Sequence, residues 1–365
     1  MKTEEHIMDL MKKRSLFWIG FAIVTILLRT FLKGHPELVE QWYSRGLFQW
    51  IRLLSDWTIG RIPIPVLYLM ILILPFFFIR KLIKAIRQAD DWVAKFFTLV
   101  ALLFSFAGGV VAIFLWSWGF NYLRVPIETQ IGIKPVPLSL PELKEELDLF
   151  TIKIIETRRR IPSDNKEALT AHFIPNNLSS LVQEGLSSSM SDLGYPVSGN
   201  LPVRTLLKGS LLRIGTAGFY LPFTGECNID AGLHPLQKPY VLAHEMAHGQ
   251  GIGDEGSCNF IAYLSCTKSK NVFIKYSGYL SFWRTLAVNY RRQAPEEYRA
   301  FRATLPRGII ADLDAINANS RLYPDIFPDL RDRTYDAFLK TQGIKEGMKN
   351  YNRVIVLERA FRLKN

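Results

Sequence analysis

Apolar residues are bunched rather than scattered along this chain. Three long runs come first: Leu16–Leu32, Ile62–Ile79 and Phe96–Trp118. Each is close to the length a helix needs to cross a bilayer. The first carries Arg29 near its far end, where a long cationic side chain can reach the interface. The second is almost uncharged and holds Pro63, Pro65 and Pro75. The third closes with Trp116 and Trp118, residues that suit an interfacial belt. After about Asn121 the pattern changes to mixed helical and strand periods. The remaining chain is long enough for one sizeable domain with its own core. The pattern therefore predicts a mainly α membrane protein, with a transmembrane region over 1–120 (helices at about 16–32, 62–79 and 96–118) and an α+β domain over 121–365.

Within that second part, 121–140 is punctuated by Pro126, Pro135 and Pro137 and reads as an extended linker. Acids early and bases late predict a helix over 141–160. A second helical stretch, 167–193, is broken near Pro175. Partial alternation over 209–220, leading into 219–230, predicts strands joined by a turn. One of these is expected either as an edge that pairs extended peptide or as an ordinary hairpin. Helices follow to about Ala315.

Charge sets the orientation of the apolar runs. Lys2, Lys12, Lys13 and Arg14 precede the first; Arg80, Lys81, Lys84, Arg87 and Lys95 lie between the second and third. Both segments are expected in the cytoplasm, and everything after about Asn121 outside it. Residues 33–61 are sparser in positive charge and rich in Trp and Tyr, as in an amphipathic helix lying on the membrane. No small-residue cleavage site follows the first run, so it is expected to be retained as an anchor. The net charge of +12 comes with no nucleic-acid motif; attraction to anionic lipid headgroups explains it, and no nucleic-acid partner is expected. Arg158, Arg159 and Arg160 read as a solvated helix face.

The candidate chemistry is concentrated in His244-Glu245-Met246-Ala247-His248. On a helix, positions i and i+4 share a face, so both imidazoles can bind one Zn²⁺ while Glu245 stands beside the metal as general base. The flanking residues are apolar, and two histidines and a glutamate on a buried helix need a partner. A catalytic zinc commonly has three protein ligands and a water. Gly249, Gly251 and Gly253 then end the helix, and Asp254 and Glu255 follow. Asp254 would give a metzincin-like spacing. Glu255, opening a helix over about 256–267, would give a gluzincin-like one. Glu255 is favoured because it shares a helical face with Asn259, whose amide oxygen can hold an imidazole N–H from behind. Asp254 then serves as helix cap and stays the alternative ligand.

Three cysteines, Cys227, Cys258 and Cys266, make no disulfide framework; they read as small buried packing residues. A fourth ligand from Cys227 or Cys258 would make the metal structural. Tyr276 and Tyr279 are candidate oxyanion or substrate contacts, though a buried packing role is the more common one for such a tyrosine. His172 and His234 read as loop residues.

The chain resembles a bacterial membrane-protein family of unknown function, domain of unknown function 3810. The resemblance is carried by the three early apolar runs and by Gly218-Phe-Tyr-Leu-Pro-Phe-Thr-Gly-Glu226. It is carried also by His244 to His248 with Gly251, Glu255 followed by Asn259-Phe260, Tyr276-Ser-Gly-Tyr279 and Tyr335-Asp-Ala-Phe-Leu-Lys340. Ser257 and Cys258 depart from the pattern, which expects an acid and Ala there. The resemblance implies a zinc metallopeptidase but supplies no substrate. The expectation is therefore a bacterial inner-membrane protein with its N-terminus cytoplasmic and a zincin-like domain outside. His244, His248 and Glu255 would hold Zn²⁺, Glu245 would be the base, and the partners would be the lipid bilayer and a peptide or protein substrate. The competing expectation is a catalytically silent zinc-binding membrane sensor or scaffold.

Overall fold

The computed structural model describes residues 2–88 and 91–364. Its framework is helical, with one small sheet. Helices α1 (Lys2–Leu32), α3 (Val66–Arg87) and α4 (Trp92–Ser117) contain three stretches long and apolar enough to cross a membrane. Their outward faces are apolar, as at Phe17, Leu72 and Phe104. The second helix begins later than its apolar run because Pro65 sits at the N-cap; Pro75 lies inside it. Asp91 caps α4, its side chain accepting from the Ala94 N–H at 2.7 Å.

Between the first two membrane helices the chain is helical and amphipathic, as its Trp and Tyr content suggests. A π-helical stretch, Val39–Leu47, runs directly into α2 (Phe48–Trp57). Trp42, Trp50, Leu54 and Trp57 face outward, while Val39, Tyr43 and Phe48 are buried. The buried face is fastened by polar contacts. Arg124 donates to both oxygens of Glu40 at 2.8 Å and to the Gly251 carbonyl at 2.8 Å.

The expected linker is only partly extended: it contains a 3-10 turn, Gly119–Leu123, and a short helix, Ile127–Ile131. Helix α5 (Leu140–Arg159) opens with a Ser139–Glu142 capping box. The expected helix over 167–193 narrows to α6 (Leu178–Asp192). Strand β1 (Val203–Leu206) lies upstream of the region expected to be β. Only the end of 209–220 is strand, as β2 (Gly218–Leu221), followed by β3 (Glu226–Asp230). The order is β1-β3-β2, with β1 parallel and β2 antiparallel to β3, so β2 is an edge. The remaining helices are α7 (Lys238–Gly249), α8 (Glu255–Lys268), α9 (Val272–Gln293), α10 (Pro295–Ala303), α11 (Arg307–Arg321), α12 (Pro328–Gln342) and α13 (Val354–Lys364). Helix α7 packs against β2 and β3, and α8 against α6, α7 and α9. One apolar core runs through all of this and takes in Val39, Tyr43, Phe48 and Leu115 from before residue 120.

Arg158 departs from the solvated face expected of it. It is buried and pairs with fully buried Asp312 at 2.8 Å, while Arg159 and Arg160 are exposed. Asp312 also accepts from the Tyr276 hydroxyl at 2.8 Å and the Leu169 N–H at 2.7 Å. Three donors compensate the carboxylate for its lost hydration. Removing Arg158 leaves that charge short of a partner, which typically costs ~3–5 kcal/mol. Arg158→Met is expected to lower the Tm of the detergent-purified protein by roughly 6–20 °C. Arg159→Met should leave it nearly unchanged; equal losses in the two variants would contradict the ion-pair account.

Candidate functional site

Helix α7 is buried from Leu242 through Gly249. His244 and His248 lie one turn apart on it, their rings 4.8 Å between centroids and nearly perpendicular. The chain then turns back through Gly251, whose φ of +84° is a conformation that favours glycine. A side chain there would also strike Phe48 and Asn121. The reversal sets Glu255, first residue of α8, opposite both imidazoles. Its Oε2 lies 3.1 Å from His244 Nε2 and 3.4 Å from His248 Nε2. One ligand atom from each of the three residues lies within 4.8 Å of the others.

The outer nitrogens fix what the inner ones can do. His244 Nδ1 lies 2.9 Å from Asn259 Oδ1, and His248 Nδ1 lies 2.8 Å from the Ile252 carbonyl. Both partners are acceptors, because the Asn259 amide nitrogen is already donating to the Tyr351 carbonyl at 3.1 Å. Each Nδ1 therefore carries the proton, and each Nε2 presents a lone pair toward the carboxylate. Two lone pairs and a carboxylate facing one another require a cation. Without a metal that cation is a proton. Burial alone would lower the basicity of His248, but Cys258 and Glu255 outweigh it and raise the imidazole well above its usual value. Burial would raise Glu255, and the two histidines outweigh that and hold it well below. An N,N,O donor set with both Nδ1 atoms held from behind fits a divalent metal such as zinc.

Glu245 is buried beside this group. Burial, only partly offset by the two histidines, holds its carboxyl above the ordinary range. Gly218 of β2 presses on it: an added Cβ would sit 3.0 Å from its Cγ and 2.7 Å from the Asn228 carbonyl. Together they line a cavity of about 890 Å³, which the β2 edge, His248 and Glu255 also border.

Asp254 does not join the group. Its side chain caps α8, accepting from the Ser257 N–H at 2.7 Å, and pairs with Arg353 at 3.0 Å. Tyr276 and Tyr279, expected as oxyanion or substrate contacts, lie elsewhere. Tyr276 is spent on Asp312, and Tyr279 packs among Phe150 and Tyr263 in the core. The tyrosines that border the cavity beside the histidines are Tyr335 and Tyr351. The Tyr335 hydroxyl donates to Glu255 Oε1 at 2.6 Å, and the Tyr351 ring lies parallel to that of His244. Tyr335 stands in a stretch that carries the family resemblance, but nothing in its spacing tied it to Glu255. Trp118, at the end of the third apolar helix, donates to the His248 carbonyl at 2.7 Å. All three cysteines are free and buried. Cys258 Sγ lies 3.3 Å from His248 Nδ1, on the side away from Glu255, and burial pushes its thiol up to about 12. Neither it nor Cys227 belongs to the converging group.

The family model described as Protein of unknown function (DUF3810) matches residues 43–357. The chain belongs to that family. The match takes in α2, the second and third apolar helices and the whole cavity, so the site lies inside what the family shares a model for. No curated protein and no solved structure matches the chain.

Removing a donor and removing a cap have different signatures. Glu255→Ala should abolish stoichiometric binding of a divalent metal. Asp254→Ala should keep the metal and lose only ~1 kcal/mol of stability. Tyr335→Phe, which loosens the Glu255 carboxylate, should weaken binding by ~10–100-fold. Competition titrations with a chromogenic chelator read all three, and a larger loss from Asp254→Ala than from Glu255→Ala would reverse the assignment.

Proposed function

We propose that this chain is a membrane-anchored zinc metallopeptidase, with a gluzincin-like site on a zincin-like domain. The observation that carries the reading is the set His244, His248 and Glu255 with Glu245 beside it, all opening on one cavity. When bound there, zinc supplies a Lewis acid for the scissile carbonyl and lowers the pKa of a coordinated water. The chain's own residues do the rest. Asn259 and the Ile252 carbonyl hold the two ring orientations, and Tyr335 holds that of Glu255. Glu245 takes a proton from the attacking water and hands it to the leaving amine. Burial raises its affinity for protons, the direction that helps a carboxylate accept one. β2 is an edge strand that borders the cavity beside Glu245, and an edge strand is where an extended peptide would pair.

Glu245 also separates this reading from a silent zinc-binding sensor, since a site that only binds has no use for a base poised beside the metal. Glu245→Gln keeps the shape and loses the base. The variant should fold, keep its zinc by elemental analysis and lose ~10²–10⁴-fold in peptidase activity. Zinc loss would make Glu245 a ligand. A wild type that cuts nothing in a broad peptide library would favour the sensor.

The cationic residues between the second and third apolar helices support a cytoplasmic N-terminus, an inner-membrane location and an active site outside the cytoplasm. An alkaline phosphatase fusion after Asn121 should be active and one near Arg87 silent; the opposite pattern would turn the site inward.

A further inference from the structure

Helix α12 is unusual among the helices of the domain. Leu339 is its only buried residue among those described, yet it supplies Arg331, Thr334, Tyr335 and Phe338 to the wall of the cavity. It also exposes apolar side chains. Phe327, just before it, and Leu330 are each 62% exposed, and Leu322 and Ile326 in the approach are similarly open. Phe327, Leu330, Thr334 and Phe338 fall at helical spacing on one face. Two lining residues, Ile214 at 48% and Phe338 at 38%, remain exposed and so mark the mouth of the cavity. Isolated exposed apolar residues are ordinary, but a cluster at the mouth of a site marks a contact surface.

The ends of the membrane helices also touch the domain. Arg29, in the last turn of α1, donates to the Thr341 carbonyl and, at 2.9 Å, to Gln342 Oε1, both at the C-terminal end of α12. Tyr68, in the first turn of α3, accepts from the Leu207 N–H at 2.9 Å, and Leu207 is itself exposed. Phe114 and Trp118, at the end of α4, line the cavity directly. Three helix ends thus touch the domain, and that of α4 does so at the cavity itself. Trp42, Trp50 and Trp57 are exposed as well, and tryptophan favours the headgroup region.

We propose that the mouth of the cavity rests on the membrane surface and that the substrate is a membrane-anchored polypeptide, cut in the extended segment next to its anchor. This rests on the peptidase reading and adds the substrate class to it. A polypeptide, rather than a lipid, fits because the edge strand β2 also borders the cavity, and an edge strand can take up extended chain.

The test uses the full chain in phosphatidylethanolamine–phosphatidylglycerol vesicles. Single cysteines at Phe327→Cys, Leu330→Cys and, on charged α10, Arg299→Cys carry a fluorophore, and nitroxide-headgroup lipid is the quencher. A peptide library is then presented free, or fused to one transmembrane helix through short or long spacers. The labels at 327 and 330 should be quenched and that at 299 should not. Short-spacer anchored substrates should be cut ~10²-fold or more faster than free ones, by effective concentration. Phe327→Asp with Leu330→Asp should remove most of that advantage and leave free-peptide cleavage unchanged. Unquenched labels at 327 and 330, or equal cleavage of free and anchored peptides, would overturn the inference and leave the peptidase reading standing. Cleavage of the long-spacer form alone would overturn it too. Cleavage of neither form, or release of lipid products instead, would overturn the peptidase reading and the assigned substrate together, whatever the quenching shows.

Discussion

Two imidazole lone pairs and a carboxylate are held facing each other in a buried place, and the surrounding structure is arranged around that unfavourable meeting. No apolar core tolerates it without a cation. The protein does not relieve the tension by turning the groups apart. It fixes them from behind instead, with Asn259 and the Ile252 carbonyl on the histidines and Tyr335 on Glu255. The same packing that makes the site costly when empty of charge leaves its three groups placed where they could hold a metal ion.

The reversal between α7 and α8 makes that meeting possible, and the membrane-proximal part of the chain supports the reversal. Gly251 turns where other residues would be strained and crowded. Phe48 presses on it from α2, and Arg124 ties its carbonyl to Glu40. Trp118 grips the His248 carbonyl from the end of α4. The amphipathic segment and the third apolar helix are thus part of the mounting of the site as well as an anchor. A shift of α2 would be felt at His248 through one layer of side chains.

Much of this was legible in the chain. Long apolar runs identify membrane-compatible helices because length and hydropathy are local properties. The pair His244 and His248 was legible because the helical period alone places them on one face. Asp254 was readable as a cap, and Glu255 as facing the histidines, because cap positions and the i, i+4 relation to Asn259 are also local. The edge position of β2 was left open, since strand order is set by β1, a short strand without clear alternation.

What the sequence could not show depends on contacts between residues far apart. Arg158 reads as a surface residue and Tyr276 as either a packing or a site residue, and both are spent on Asp312, which lies 154 and 36 positions away. Tyr335 reaches Glu255 across 80 positions, through a helix that is otherwise barely buried. No local period encodes such meetings; they follow from how α11 and α12 fold back over the core. The sequence by itself determined the membrane-compatible helices and the turn of α7 that puts His244 and His248 on one face, because each is a matter of neighbours within one helix. Only the tertiary structure decided which tyrosines serve the site and where its mouth opens, because those are matters of which distant surfaces exclude water together.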